Sequence, residues 1–178
     1  MKKRFSQREL RDAFGTFATG VTVITAVRPE GDPVGTTANS FTSVSLDPPL
    51  LLWCLANSSA SAAAFALGRE FAVHVLAHDQ RDLATHFARR LREKFEVDHH
   101  WRSNPHPPHL AGAVCRFDCK VHAQHEAGDH LIVMGEVIGI ERHVGEPLVF
   151  QGGRFGGFSI DRGAPHVDFW ESWRGEWL

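Results

Sequence analysis

The residues able to do chemistry fall in a few places along the 178-residue chain. From Gly35 to Ser40 it reads Gly-Thr-Thr-Ala-Asn-Ser, six small and uncharged residues in a row. Such a run makes poor core and poor solvated surface, but it suits a place where backbone and hydroxyls must approach a ligand closely. Asn57-Ser58-Ser59-Ala60-Ser61 precedes an alanine-rich run ending at Gly68, which predicts a short helix with a serine at its start. The N–H groups there either end a helix in the ordinary way or receive a phosphate. Arg89 to Phe95 is basic and forms either a solvated face or a source of phosphate charge. His130 follows Gly128-Asp129, and Arg154-Phe155 stands among glycines. The four histidines between Asp98 and His109 lack the spacing of a known metal site, so no metal is expected.

Several standard chemistries are not written here. The chain has no G-x-G-x-x-G, no G-x-x-x-x-G-K-[ST] and no G-x-S-x-G. What remains fits the binding of a flat, hydrogen-bonding cofactor better than nucleophilic catalysis.

Those residues must be positioned by elements the pattern also predicts. Ser6-Gln7-Arg8-Glu9 has the form of a capping box, with Leu10, Ala13, Phe14 and Phe17 on one helical face. Val21 to Val27 reads as a strand, and Pro29-Glu30-Gly31-Asp32-Pro33 turns it back as a hairpin into Val34. The small polar stretch then reads as a loop clamped between strands, the second being Leu50–Leu55. Phe71–Leu76 is a further strand, and Asp79 is expected to cap a helix carrying Leu83 and Phe87. Cys115 to Gln124 alternates strictly, with Cys115, Phe117, Cys119, Val121 and Ala123 on the core face. His130 to Ile140 is a long strand broken by glycine. About seven strands with hairpin connections predict a mainly β chain with peripheral helices, closed as a barrel.

Composition bounds the class. Hydrophobic residues are 43%, charged residues 22%, and the formal net charge is −2, the balance of a globular domain with no call on nucleic acid or an anionic membrane. No run reaches the ~20 apolar residues of a membrane span. The basic N-terminal residues lack a following apolar stretch, and three cysteines without a C-x-x-C point to a reducing compartment, so the expected location is cytoplasmic.

Taken together, Ala18-Thr19-Gly20-Val21-Thr22-Val23, the stretch Thr37 to Pro49, Gly128-Asp129-His130 and Gly153-Arg154-Phe155-Gly156 resemble the flavin reductase family in both wording and order. The likeness runs from about Phe14 to Phe158. It implies an FMN-binding split β-barrel, a homodimer, and hydride transfer from NADH or NADPH to FMN or FAD. It also implies delivery of the reduced flavin to a partner monooxygenase or halogenase. Carried over by position, Thr37, Ala38, Asn39 and Ser40 contact the flavin ring and ribityl chain. Ala56, Asn57, Ser58 and Ser61 contact its phosphate, and Lys94 and Phe95 close over it. His130 is the catalytic histidine near the nicotinamide, which Arg154 and Phe155 help to bind. Phe155 departs from the tyrosine usual there, which removes a hydrogen bond but not ring stacking. The same fold also serves flavoproteins with their own substrates and non-catalytic flavin carriers, which differ in whether added flavin makes the protein consume NADH.

Residues 1–160 are expected to form this domain and 161–178 a tryptophan-rich extension. Trp170, Trp173 and Trp177 share one helical face, which packs on the barrel, across a dimer, or against a partner.

Overall fold

In a computed structural model the chain is described at residues 4–89, 91, 94–95, 101–102, 107–159 and 163. The tryptophan-rich extension and most of the histidine-containing loop lie outside the described residues.

The first helix, α1 (Gln7–Phe14), begins as predicted. Ser6 Oγ accepts from the Glu9 N–H at 3.1 Å, and the Glu9 carboxylate accepts from the Ser6 N–H at 2.7 Å. Its apolar face is not covered by the described residues, with Phe14 69% exposed, and Phe17, predicted on the same face, lies beyond the helix end and is 76% exposed. The strands that follow are β1 (Thr19–Gly20), β2 (Thr22–Val27), β3 (Pro33–Ala38), β4 (Thr42–Leu46), β5 (Pro49–Ala56) and β6 (Glu70–Val75). The second helix is α2 (Arg81–Ala88). Beyond it come β7 (Trp101–Arg102), β8 (His109–Leu110), β9 (Cys115–Ala127), β10 (His130–Arg142), β11 (Leu148–Gln151) and β12 (Arg154–Gly157).

Seven strands form the main sheet, in the order β3-β2-β6-β9-β10-β5-β4 and antiparallel throughout. The expected hairpin is present, with Thr22 opposite Ala38 and Val27 opposite Pro33. The sheet does not close, because β3 and β4 remain edges. It nevertheless curls: Val34 of β3 and Leu51, Trp53 and Leu55 of β5 share one core with Ile24, Phe71, Val121 and Val133. Residues near opposite ends of the strand order meet only if the sheet bends round on itself. The result is the split barrel of the resemblance rather than the hydrogen-bonded closure expected from counting strands. A second core, built on Val21, Leu76, Phe87 and Leu148, lies under α2 and the small sheet β1-β11-β12.

Three local expectations are corrected. The alanine run does not make a helix with a serine cap. It makes a single 3-10 turn, Ala62–Phe65, in which Ser61 forms no side-chain cap. A segment this short has little helical stability of its own, and burial of Phe65 between Trp53 and Phe71 decides its path. Asp79 does not cap α2. Gln80 occupies the cap position, and its side chain bridges the Ala77 N–H and the Ala111 carbonyl instead. In β9, Cys119 and Val121 are buried, but a register shift opposite Met134 and Gly135 interrupts the strict alternation beyond them. The polar residues of the other face are not simply solvated: Asp118 pairs with both Arg116 and His109 at 3.0 Å.

His74 is fully buried. Its Nδ1–H donates to the Val23 carbonyl at 3.0 Å, and Nε2 accepts from the Leu110 N–H at 3.1 Å, which fixes a neutral ring. Burial pushes its pKa from the ordinary 6.5 down to about 3. The unfolded chain therefore binds one more proton than the folded one between these values, and stability falls as pH drops through that window. Denaturant titrations should show His74 contributing about 1.4 kcal/mol per pH unit below pH ~6.5, with the slope reduced in His74→Gln. An unchanged slope would mean that His74 titrates normally.

Candidate active site

The split in the sheet opens a cavity of about 650 Å³. One wall is β3 with the turn after it, and the other is the end of β5 from Trp53 to Ala56. Ser58, Ser59, Ser61 and His130 line one part of it, and Ala88, Arg89, Leu91 and Lys94 another.

The cradle is already tied down. The expected polar loop is largely strand, since Gly35 to Ala38 belong to β3. As an edge strand β3 leaves backbone groups on the side away from β2 for a ligand. The Thr37 hydroxyl is not among the free groups, because it donates to the Ala84 carbonyl of α2 at 2.7 Å. Ala38 accepts from the Thr22 hydroxyl at 2.7 Å. Ser40 Oγ accepts from the Cys54 N–H at 2.9 Å, linking the turn after β3 to the opposite wall and leaving its own O–H to donate. Asn39 stands exposed beside it.

Lys94 reaches across this wall. Its ammonium donates to the Gly35 carbonyl at 2.9 Å and the Phe87 carbonyl at 2.7 Å, while its own carbonyl accepts from His86 Nε2 at 2.9 Å. Burial without an anionic partner among the described residues holds its pKa below the usual lysine range. Phe95 turns inward instead, packing edge-on against Phe87 at 5.2 Å behind Gly35.

His130 begins β10 opposite Ala56. Its Nδ1 lies 2.7 Å from Asp129 Oδ1, and because an ionised carboxylate only accepts, Nδ1 carries the proton and Nε2 is left for a ligand. Asn57 does not line the cavity. Its N–H donates to the Asp129 carbonyl at 3.0 Å and its amide to the Gly128 carbonyl at 3.2 Å, so it fixes the turn that presents His130. Arg154 and Phe155 also lie apart, in β12, where Phe155 packs on Phe150 at 5.3 Å. The fold thus brings Thr37, Ala38, Asn39, Ser40, Ala56, Ser58, Ser61, Lys94 and His130 to one cavity, and leaves Asn57, Phe95, Arg154 and Phe155 outside its lining.

Sequence reasoning missed Trp53 and Arg28. Both line the cavity, and Trp53 Nε1 and Arg28 Nε are buried with no acceptor among the described residues. Trp53 is hidden in an apolar strand run and Arg28 in a turn, so neither carries a local signal. Buried donors without acceptors are uncommon. A cavity of this size, lined by small residues, edge-strand backbone and cationic side chains with no aspartate or glutamate among its described lining, fits a flavin nucleotide.

A curled, split sheet with such a cleft defines a β protein built to hold a nucleotide-like cofactor. The chain belongs to the flavin reductase family, for the model of the flavin reductase like domain matches residues 14–159. It is 48% identical over 155 residues to an FMN reductase (NADH), SmoA, of Agrobacterium fabrum, covering 86% of this chain and 87% of the relative. Among solved structures it resembles the NADH:FAD oxidoreductase SgcE6 of Streptomyces globisporus in complex with NAD and FAD fragments. The TM-score is 0.81 at 42% identity, over 88% of this chain and 95% of that one. It also resembles BorF, the flavin reductase component of a bacterial two-component tryptophan halogenase, with a TM-score of 0.78 at 40% identity, over 87% and 99%.

The geometry makes Lys94 a wall-former. Lys94→Met should lower stability by about 1–2 kcal/mol and weaken FMN and riboflavin equally, read by thermal melts and fluorescence titration. A loss confined to FMN would place the ammonium on the phosphate instead.

Proposed function

We propose that the chain is an NAD(P)H:flavin oxidoreductase, moving hydride from a nicotinamide to FMN or FAD and supplying the reduced flavin to a partner monooxygenase or halogenase. The observation that carries this reading is the convergence of Thr37–Ser40, Ala56, Ser58, Ser61 and His130 on one cavity, in a chain that belongs to the flavin reductase family. The bound flavin supplies a two-electron acceptor for hydride. The chain's own work is placement. Edge-strand backbone and the Ser40 hydroxyl would hold the flavin ring, Ser58 and Ser61 would hold its phosphate, and the two walls would keep water from the reacting rings. His130, held by Asp129 through Nδ1, offers Nε2 to the nicotinamide carboxamide. NADH is favoured as donor by the names of SmoA and SgcE6, and a two-component system by BorF.

The working form is a homodimer in the cytoplasm. Leu10 and Phe14 of α1 and Phe17 after it, together with Val44, Leu46, Ile138 and Ile140, are large apolar residues left exposed by the described residues of the single chain. Arg154 and Phe155 lie away from the chain's own cavity, so their contact with a nicotinamide requires a second copy's cavity to face β12. The three free cysteines agree with a reducing compartment.

The test is NADH and NADPH oxidation with FMN, FAD and riboflavin added in turn. Consumption should require flavin and release it reduced, whereas no consumption with any flavin would overturn the reading. Within it, His130→Ala should slow flavin reduction by NADH roughly tenfold or more in stopped flow, with flavin binding and dithionite reduction intact. Unchanged reduction would return His130 to an ordinary surface role.

A further inference from the structure

The phosphate end of the cavity needs a positive charge, and the expected source is missing. The run after Ser61 is a 3-10 turn of four residues without a side-chain cap, too short to offer the dipole of a helix. The described lining residues include Arg28, Arg89, Lys94 and His130 and no aspartate or glutamate, so the cavity is built for an anion.

Three of these four groups are otherwise engaged or open to water. The Lys94 ammonium is spent on the carbonyls of Gly35 and Phe87. His130 is paired with the Asp129 carboxylate, which offsets any charge it carries. Arg89 is exposed at the end of α2. Arg28 differs from them. It is half-buried, its Nε is shut off from water with no acceptor among the described residues, and it makes no ion pair there. A cation that lines the cavity with no ion pair among the described residues is available to an oxyanion there, and the planar fork of a guanidinium suits a phosphate better than an ammonium does.

Its position is also right. Arg28 lines the same cavity as Ser58, Ser59 and Ser61. Arg28 directly follows β2, and Ser58, Ser59 and Ser61 follow β5. A second guanidinium backs it: Arg69 donates through Nη2 to the Val27 carbonyl at 2.8 Å, and its Nε is likewise buried without an acceptor among the described residues.

We propose that Arg28 is the counter-charge for the flavin phosphate, and therefore the residue by which this chain prefers phosphorylated flavins to riboflavin. The inference rests on the reading of the cavity as a flavin site. It is tested by fluorescence titration of FMN and of riboflavin into wild type, Arg28→Gln and Arg28→Lys. Arg28→Gln should weaken FMN roughly tenfold to a hundredfold, the scale of one charge-assisted hydrogen-bonding group, and leave riboflavin unchanged. Arg28→Lys should recover part of the loss, and the salt dependence of FMN binding should be shallower in Arg28→Gln than in wild type. Equal losses for the two flavins, or an FMN affinity that does not change, would overturn the assignment while leaving the flavin site in place. A wild-type protein that binds neither flavin would overturn both.

Discussion

Trp53, Phe65 and Phe71 hold the sheet in its curl. Trp53 lies on β5, Phe71 on β6 and Phe65 on the turn between them, with ring centroids 4.8 Å apart for Trp53–Phe65 and 6.1–6.3 Å for the other two pairs. All three are buried, and the edge-on packing of Phe65 against Trp53 and against Phe71 adds ~1 kcal/mol per pair to the burial of the rings themselves. The contact is tight enough that β10 carries Gly135 where any side chain would overlap the Phe71 ring. Because the curl is held by side chains rather than by a β3–β4 ladder, the edge strand β3 has outer backbone groups to give elsewhere, of which the Gly35 carbonyl goes to Lys94. The cavity and its hydrogen-bonding capacity are two consequences of one packing arrangement.

Around that opening, the groups that look most reactive are mostly anchors. The Thr37 hydroxyl holds α2 to β3, and the Lys94 ammonium bridges β3 and the end of α2. Asn57 fixes the turn before His130. Each uses its polar atoms to hold a wall in place, which is how a site lowers the entropy of binding a flat ligand before the ligand arrives. What remains for a ligand is backbone, a few hydroxyls and one imidazole nitrogen. That inventory suits holding two rings face to face, and hydride transfer asks for little more from the protein.

Much of this was legible in the sequence, for local reasons. The capping box at Ser6–Glu9 and the hairpin into Val34 are written in adjacent residues, and their physics is local as well. The small-residue run at Gly35–Ser40, whose composition suits a ligand cradle or an ordinary turn-rich β segment, lies largely in β3 and lines the cavity. The failures share the opposite character. The 3-10 turn at Ala62–Phe65 is shaped by the burial of Phe65 between Trp53 and Phe71 of the flanking strands, which outweighs the helical preference of its alanines. Trp53 and Arg28 line the cavity only because the sheet curls, and no pattern along the chain records that. Phe95 was assigned to the flavin by resemblance, yet within the chain it serves the second core.

The central claim is that one cleft, between β3 and the segment following β5, receives the flavin. Hydrogen exchange with and without FMN measures this directly, amide by amide. The account predicts that FMN slows exchange across Gly35–Ser40 and Cys54–Ser61 together, with the β9–β10 strands beyond His130 unaffected. Protection confined to β11–β12 or to the outer face of the sheet, with the cleft exchanging as before, would contradict it.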